Sequence, residues 1–285
     1  MSEEILKFMT ALKKDTGLSL NEEKIYLIES RLSGLMEDYK MSSYQELTDR
    51  FQNRSDREFR EKVIDKITTH ETKFFRDDGL FEALVSRIIP ELLEQRVQSN
   101  ANSIGSYLKI WCAACSTGQE PYSIAMEIKE KAPEIFKKTR IFASDIAYDT
   151  LIKAKSGIYS NFEISRGLDT KYLNKYFTKI SDTEYQIDDE IKSIVEYKYQ
   201  NLISDDFPTG FDLILCRNVS YYFDHDDRRR LFKKIQKSMN PDSFLILGSA
   251  ESITDYSSTF IVREFGKFRY YELNPTNVTF FSKGA

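Results

Sequence analysis

The segment Ile110-Trp-Cys-Ala-Ala-Cys-Ser-Thr-Gly-Gln-Glu-Pro-Tyr-Ser123 passes from an apolar strand to a helix through a run of small residues. Small side chains let a ligand approach the backbone, and the amino terminus of a helix offers free N–H groups. Gly118 is the only glycine in the segment, so the G-x-G-x-x-G pattern of dinucleotide dehydrogenases is absent. The segment therefore predicts another kind of ligand-binding turn, with an ordinary tight turn as the alternative.

Short apolar runs alternate with helical stretches on both sides of this segment. The apolar runs are Leu108–Trp111, Ile141–Ala143, Phe211–Cys216 and Phe244–Leu247, and the helices between them pass near Ile124, Leu151 and Leu231. This alternation predicts a doubly wound α/β fold, in which a parallel sheet is covered by helices on both faces. The ligand crevice of such a fold lies at the carboxyl ends of the strands. The closing run Lys267–Leu273 is expected to add an edge strand.

The rest of the chain divides into two further parts. Residues 1–78 contain no convincing strand and repeat apolar residues at helical spacing, which predicts an amino-terminal helical domain. Residues 79–285 then form the α/β domain, and its alternation is broken at about 157–200. Strand-like patterns near Tyr185 and over Ile194–Tyr199 predict a small antiparallel insertion in that region.

Composition excludes several classes of protein. The 285 residues carry a net charge of −4, which is not the basic balance typical of nucleic-acid binding. No stretch approaches the roughly 18 uninterrupted apolar residues of a membrane helix, and Glu3 and Glu4 stand where a signal peptide is basic. Three cysteines do not form a complete set of disulfides. We therefore expect a cytoplasmic protein with reduced thiols.

Two acidic or thiol features stand near the quoted segment. Asp145 ends the second apolar run, where an acid accepts hydrogen bonds from two ribose hydroxyls; the alternative is that it caps the helix near Tyr148. Cys112 and Cys115 have C-x-x-C spacing, but no second pair exists to complete a four-thiolate zinc site. Packing of small side chains is favoured over redox catalysis for this pair.

Histidines and arginines give weaker indications. With only His70 and His225 in the chain, we expect no metal site, and the absence of G-x-S-x-G argues against a serine hydrolase. Four arginines recur at helical spacing, namely Arg50, Arg54, Arg57 and Arg60. They would line one helix face that either meets an acidic protein or is simply solvated, and the same alternatives apply to Arg228–Arg230.

Six motifs taken together resemble the CheR family, the S-adenosyl-L-methionine (SAM)-dependent methyltransferases that esterify glutamate side chains of bacterial chemoreceptors. In chain order they are Thr69–Arg76, Ala113–Ser123, Ala143–Asp145, Asn201–Leu202, Phe211–Asn218 with Tyr222–Asp224, and Gly248–Ser252. The resemblance covers nearly the whole chain. It implies a helical amino-terminal domain, a Rossmann-like methyltransferase domain and an antiparallel β-subdomain inserted in it.

The resemblance also implies a site for SAM and its product S-adenosyl-L-homocysteine (SAH). With Gly118 of the small-residue turn, the cofactor-binding residues are His70, Thr72, Arg76, Glu120, Asp145, Asn201, Leu202, Cys216, Arg217 and Asn218. Asp145 is expected to hold the ribose and Glu120 the methionyl ammonium, while Arg76 and Tyr222 are the expected catalytic residues. Many relatives have asparagine in place of His70, whose imidazole can likewise donate to a carboxylate.

The implied function is methylation of receptor glutamates in chemotaxis adaptation, by a monomer that acts on the cytoplasmic helical region of methyl-accepting chemotaxis proteins. In this family the β-subdomain can grip a carboxyl-terminal receptor pentapeptide, and residues 162–167 lie in the relevant region; the sequence leaves this open. Residues 1–78 hold 17 acidic and 14 basic residues, so they do not form a net-basic docking surface. The alternatives are a non-catalytic module that senses SAM or SAH, and a methyltransferase acting on another carboxylate.

Overall fold

A computed structural model describes residues 2–98 and 107–274 of the chain. The α-helices are α1 (Ser2–Thr16), α2 (Ile25–Asp38), α3 (Tyr44–Gln52), α4 (Arg57–Ile67), α5 (Asp78–Ala83), α6 (Ile89–Gln98), α7 (Gln119–Lys131), α8 (Pro133–Phe136), α9 (Tyr148–Ser156), α10 (Asn161–Ser165), α11 (Thr170–Tyr176), α12 (Asp189–Lys192) and α13 (His225–Ser238). The strands are β1 (Leu108–Ala113), β2 (Thr139–Asp145), β3 (Ile158–Ser160), β4 (Phe177–Lys179), β5 (Glu184–Ile187), β6 (Val195–Tyr199), β7 (Phe211–Cys216), β8 (Met239–Leu247), β9 (Phe260–Phe265) and β10 (Phe268–Leu273). Short 3-10 helices cover Glu22–Lys24 and Ser220–Tyr222, and a π-helical segment, Leu84–Ile88, joins α5 to α6.

Seven strands form the main sheet, in the order β6-β2-β1-β7-β8-β10-β9. Neighbours from β6 to β8 run parallel, whereas β10 is antiparallel to both β8 and β9. This confirms the predicted α/β class. Strand β1 lies between β2, which follows it in the chain, and the much later β7, so the strand order reverses here. A crevice is expected at the carboxyl ends of β1 and β7.

The central strand β1 is buried on both faces. Ile110 and Cys112 belong to one hydrophobic cluster and Trp111 and Ala113 to another, because successive side chains of a strand point to opposite faces. The indole N–H of Trp111 donates to the hydroxyl of Ser144 at 2.9 Å, which satisfies a buried donor. Helices on both faces therefore hold the strand ends that border the crevice in fixed positions.

Helices α1 to α4 form a unit with its own core. Phe8 and Phe51 are buried there with their ring centroids 5.7 Å apart. Helix α3 begins where the hydroxyl of Ser43 accepts the N–H of Glu46 at 3.2 Å, while the Glu46 carboxylate accepts the N–H of Ser42 at 2.9 Å. None of the helices in the described ranges is long and apolar enough to cross a membrane.

The strand Val195–Tyr199 was expected in the antiparallel insertion, and this expectation is wrong. Strand β6 pairs parallel with β2, from Ile141 opposite Val195 to Asp145 opposite Tyr199, and forms one edge of the main sheet. Its polar alternation reflects the exposure of an edge strand. The insertion itself is a three-stranded antiparallel sheet in the order β3-β5-β4.

The closing run Lys267–Leu273 forms a strand, but not at the edge as expected. Strand β9 pairs with the outer side of β10 and so forms the edge of the sheet. A tight turn at Gly266, with φ of 59°, brings Phe265 opposite Phe268. Strand β9 is half exposed, with Val262 at 44%. Its mixed pattern gave no prediction of a strand.

The four arginines do not share one helix face. Helix α3 ends before Asn53, and Asp56 caps α4 by accepting the N–H of Phe59, so a turn interrupts the helical spacing. Their ion pairs are Arg50 with Asp56 (2.6 Å), Arg54 with Asp15 (3.9 Å), Arg57 with Glu61 (2.6 Å) and Arg60 with Asp15 (2.6 Å). Because each guanidinium has an acidic partner, this group does not present a free basic stripe.

Candidate functional site

A cleft opens at the carboxyl ends of β1, β2 and β7, with the helical unit as its opposite wall. It encloses about 1270 Å³ of empty space, part of it open to solvent, and the segment between α1 and α2 closes its outer side. Nine predicted site residues line it: His70, Thr72, Arg76, Glu120, Asp145, Leu202, Arg217, Asn218 and Tyr222. Residues from five of the six motifs, far apart in the chain, thus meet in one place.

Strained backbone is concentrated in the segments that form the cleft. The non-glycine residues with φ between 49° and 70° in these segments are Phe75, Asp77, Ala114, Ser116 and Asn218. Such conformations cost of order 1–3 kcal/mol each and persist where the surrounding structure enforces them. Their clustering indicates that the loops are held for function and not only for chain reversal.

Arg217 forms the buried ionic centre of the cleft. Its Nη1 donates to Glu120 at 2.5 Å, and its Nη2 donates to Asp77 at 2.5 Å and to the carbonyl of Arg76 at 3.0 Å. Burial by itself would lower the pKa of Arg217, but the two carboxylates outweigh that effect and raise it. Its Nε is buried with no hydrogen-bond partner among the described residues. A ligand acceptor in the cleft would satisfy this donor, so the site fits a polar ligand.

Asp145 lies at the end of β2, and its carboxylate has acceptor positions that the protein does not use. One carboxylate oxygen accepts the N–H of Ser116 at 2.8 Å, and the other accepts the N–H of Ala147 at 3.0 Å. A carboxylate offers about four acceptor positions, so capacity for two hydroxyl donors remains. Burial raises the pKa of Asp145. The bond to Ala147 lies before the first turn of α9, and Ala147 is the N-cap of that helix, with no side-chain cap of its own, so Asp145 is not its cap.

His70 borders the cleft, but its ring is occupied by the protein. Nε2 lies 2.8 Å from the carbonyl of Asp65, which requires a proton on Nε2, and Nδ1 lies 3.1 Å from the hydroxyl of Thr150. The predicted hydrogen bond from the imidazole to a ligand carboxylate therefore has no free donor. The ring instead joins α4 to α9.

Three predicted cofactor-binding residues do not line the cleft. Gly118 precedes α7 with φ of 91°, and a Cβ there would meet the hydroxyl of Tyr197 at 2.7 Å. Asn201 caps its own loop and donates to the carbonyl of Asp15 at 2.8 Å. Cys216 is the last residue of β7, and its side chain is fully buried in a hydrophobic cluster. These three residues lie behind the cleft wall. Membership of a motif specifies the position of a residue in the chain and not the direction of its side chain.

Cys112 and Cys115 are both buried free thiols. Burial raises the pKa of each thiol well above its ordinary value. Because the thiolate is the reactive form, both cysteines are expected to be inert. The packing interpretation of the C-x-x-C spacing is therefore favoured.

The two predicted catalytic residues stand at the mouth of the cleft. Arg76 is partly exposed, and its Nη1 donates to the carbonyl of Glu71 at 3.3 Å. The ring of Tyr222 packs on that of Tyr221, with centroids 4.5 Å apart. Both side chains are partly exposed to solvent.

Two residues that sequence reasoning did not assign to the site contact its outer turn. Glu251 accepts backbone N–H groups from the turn that begins at Asn218, and Arg228 donates to its carbonyls. Glu251 follows β8 much as Asp145 ends β2, and that placement could have indicated it. Arg228 had been given only the docking or solvated alternatives, and nothing in its sequence context indicated an inward role.

Comparisons with known proteins identify the family of the chain. Residues 3–68 match the family described as CheR methyltransferase, all-alpha domain, and residues 70–268 match CheR methyltransferase, SAM binding domain. Chemotaxis protein methyltransferase 1 of Pseudomonas aeruginosa is 37% identical over 258 residues, covering 87% of this chain and 89% of that protein. Chemotaxis protein methyltransferase 1 of Vibrio cholerae is 34% identical over 262 residues, covering 90% and 92%.

A third relative, the chemotaxis protein methyltransferase of Borreliella burgdorferi, is 36% identical over 256 residues, covering 88% of each chain. Among solved structures, the N-methyltransferase NodS of Bradyrhizobium japonicum in complex with SAH is 16% identical and covers 69% of this chain and 89% of that one. Its TM-score is 0.35, and this similarity is too weak to add to the sequence relationships.

Proposed function

This chain belongs to the CheR family of SAM-dependent methyltransferases, and from that premise we propose that it methylates glutamate side chains of bacterial chemoreceptors in chemotaxis adaptation. The products are glutamate methyl esters and SAH. The observation that most supports this proposal is the juxtaposition of Asp145, the Arg217–Glu120 ion pair and Arg76 in one cleft. The first two fit the donor, and Arg76 at the mouth fits an anionic acceptor.

Residues of the cleft wall would hold SAM, which when bound supplies an electrophilic methyl group on its sulfonium sulfur. Asp145 would accept the two ribose hydroxyls. Glu120 engages Arg217 through Oε2 and would accept the methionyl ammonium through its other oxygen. The unpartnered Nε of Arg217 would donate to an acceptor of the cofactor.

The acceptor chemistry needs positioning and not proton abstraction. A glutamate side chain has a reference pKa of about 4.3 and is already ionised at neutral pH, so no general base is required. Orientation and partial desolvation of the carboxylate are the protein's contribution, and orientation can supply up to roughly 7–11 kcal/mol. The guanidinium of Arg76 would aim the attacking oxygen, with Tyr222 beside it. Arg76 must not bind the carboxylate more tightly than it binds the transition state.

We place this activity in the cytoplasm, on the helical cytoplasmic region of the receptor, and expect a monomer. Capture of a carboxyl-terminal receptor pentapeptide by the β-subdomain is a finer proposal of the same kind. Phe162 in that subdomain is 68% exposed and lies beside Arg166, whose guanidinium is 5.5 Å from its ring centroid. Arg166 also pairs with Glu71 at 2.9 Å, so a peptide carboxylate would have to share the guanidinium with Glu71 or displace it.

The proposal is tested by incubating the protein with methyl-labelled SAM and cytoplasmic fragments of cognate receptors. We expect base-labile esters that release labelled methanol, and slower labelling of tail-truncated receptors if the pentapeptide is used. SAH binding is measured in parallel by calorimetry. Tight SAH binding with no ester on any cognate receptor would identify a sensing module, and esters formed only on another carboxylate would identify the third alternative.

A further inference from the structure

Glu251 lies beneath the turn that carries Asn218 and Tyr222, and its carboxylate is fully engaged there. The residue is only 7% exposed. Its donors are the N–H groups of Asn218 (2.6 Å), Val219 (3.0 Å), Ser220 (2.7 Å) and Gly248 (2.8 Å), with the hydroxyl of Ser220 (2.7 Å). Hydrogen bonds to an ionised acceptor are roughly twice as strong as neutral ones. One buried side chain thus fixes three consecutive backbone amides.

Gly248 packs closely against Glu251 and Asn218. A Cβ at Gly248 would lie 2.7 Å from the Glu251 carboxylate and 2.8 Å from the side-chain nitrogen of Asn218. Asn218 itself has φ of 58°, a conformation that non-glycine residues rarely adopt. The carboxylate therefore holds this positive-φ residue in place at the cleft wall.

Arg228 holds the other end of the same turn. Its Nε donates to the carbonyls of Ser220 at 2.8 Å and Phe223 at 2.9 Å, and its Nη2 donates to that of Tyr221 at 3.2 Å. Its Nη1 donates to the hydroxyl of Tyr256 at 2.9 Å. An anion thus binds the N–H groups at the start of the turn, and a cation binds the carbonyls at its end.

We propose that Glu251 and Arg228 are positioning residues for methyl transfer, which fix the turn 218–223 so that Asn218 and Tyr222 face the acceptor. The turnover part of this inference rests on the proposed function. The donor side is held independently, because Arg217 has its own ion pairs with Glu120 and Asp77. Among the predicted cofactor-binding residues, Asn218 alone lies in this turn, so loosening the turn slows transfer much more than it weakens donor binding.

The first test replaces Glu251 by Gln, which keeps the size but sets an NH₂ group against backbone N–H donors. We expect kcat on receptor fragments to fall by about tenfold or more, while the Kd of SAH stays within about threefold of wild type. Arg228→Ala should act in the same direction, and Arg228→Lys should recover part of the loss. The matched controls are Glu46→Gln, a carboxylate that caps a distant helix, and Arg229→Ala, the exposed neighbour; both should keep wild-type kcat.

A second readout needs no acceptor. Backbone amides 218–220 should exchange hydrogen faster in Glu251→Gln than in wild type, and at the wild-type rate in Glu46→Gln. If wild type methylates no receptor, the proposed function fails while the exchange measurement still decides on the positioning. Unchanged exchange, unchanged kcat, or equal losses of kcat and SAH affinity would overturn the inference. If Glu251→Gln does not fold, the Arg228 variants decide, with exchange measured over residues 220–223.

Discussion

Arg76 reaches the mouth of the cleft from a segment whose neighbours Phe75 and Asp77 hold left-handed backbone. Because Arg76 is expected at the reacting end as well as in the cofactor pocket, Arg76→Ala should lower kcat by about a hundredfold and change the Kd of SAH much less, by about threefold at most. Steady-state methylation and calorimetry measure the two quantities. Arg57→Ala, which removes an exposed ion pair with Glu61, is the control and should leave both unchanged. Unaltered turnover in Arg76→Ala would refute the assigned role.

Asp145 gives donor binding a dependence on pH whose direction follows from its burial. Burial raises the pKa of its carboxyl, and ribose hydroxyls favour the ionised form, so donor affinity is full above this raised pKa and is lost as pH falls through it. We expect SAH affinity to decline as the pH falls through this raised pKa, which lies at higher pH than that of an ordinary aspartate.

The control for this pH dependence is Asp145→Asn. It should bind SAH about tenfold more weakly at neutral pH, since it loses charge-assisted hydrogen bonds, and its remaining affinity should vary less with pH. Calorimetry at several pH values measures both proteins. Parallel pH profiles for the two would show that another group is responsible.

At the residue level, the sequence predicted which positions approach the cleft better than what their side chains do there. Asp145 could be identified from its position at the end of a predicted strand, whereas Arg217 was identified only through the resemblance to the family. The occupation of the His70 ring depends on Asp65 and Thr150, and the latter is 80 positions away in the chain. Long-range partners of this kind are not visible in a local motif.

Among the elements, helix α7 begins at the cleft in a way that only glycine permits. Gly118→Ala would place a Cβ at φ of 91° and 2.7 Å from the Tyr197 hydroxyl. We expect a loss of about 2 kcal/mol or more in the free energy of unfolding and weaker SAH binding, because the turn must shift. Urea unfolding and calorimetry measure these effects.

Gly34 provides the matched control for this substitution. It is exposed in the middle of α2, and a Cβ there would meet nothing within 4 Å. Gly34→Ala should therefore raise the free energy of unfolding by about 0.5–1 kcal/mol, as expected for the better helix former. A similar effect of both alanines would contradict the account of Gly118.

The parallel strands were predictable as elements because burial on both faces makes them continuous apolar runs, as in Phe211–Cys216. The edge strands could not be predicted in this way. Val195–Tyr199 and Phe260–Phe265 each have one exposed side, so their polar residues resemble an antiparallel hairpin or a loop. Whether such a strand joins the parallel sheet depends on where the preceding segment places it in the fold. That position is a tertiary property and is not encoded in the local pattern.

On the scale of the whole molecule, the helical unit and the sheet form the cleft together. The N–H of Ser19 donates to the carbonyl of Tyr222 at 2.8 Å, and Lys13 pairs with Asp224 at 2.6 Å, so α1 and the loop after it are tied to the segment 222–224. A ligand in the cleft must therefore stabilise both parts at once.

We expect one thermal unfolding transition that SAH shifts as a whole. At a concentration of about 100 times its Kd, SAH should add about 2.7 kcal/mol of stability, or roughly 4–5 °C in Tm for a chain of this size. Calorimetric scanning measures the shift, and hydrogen exchange should show added protection in α1 and α2 as well as in α7. Adenosine without the amino-acid moiety is the ligand control and should give a smaller shift, since it leaves Arg217 and Glu120 unused. Two transitions of which SAH moves only one would mean that the helical unit does not contribute to the donor site.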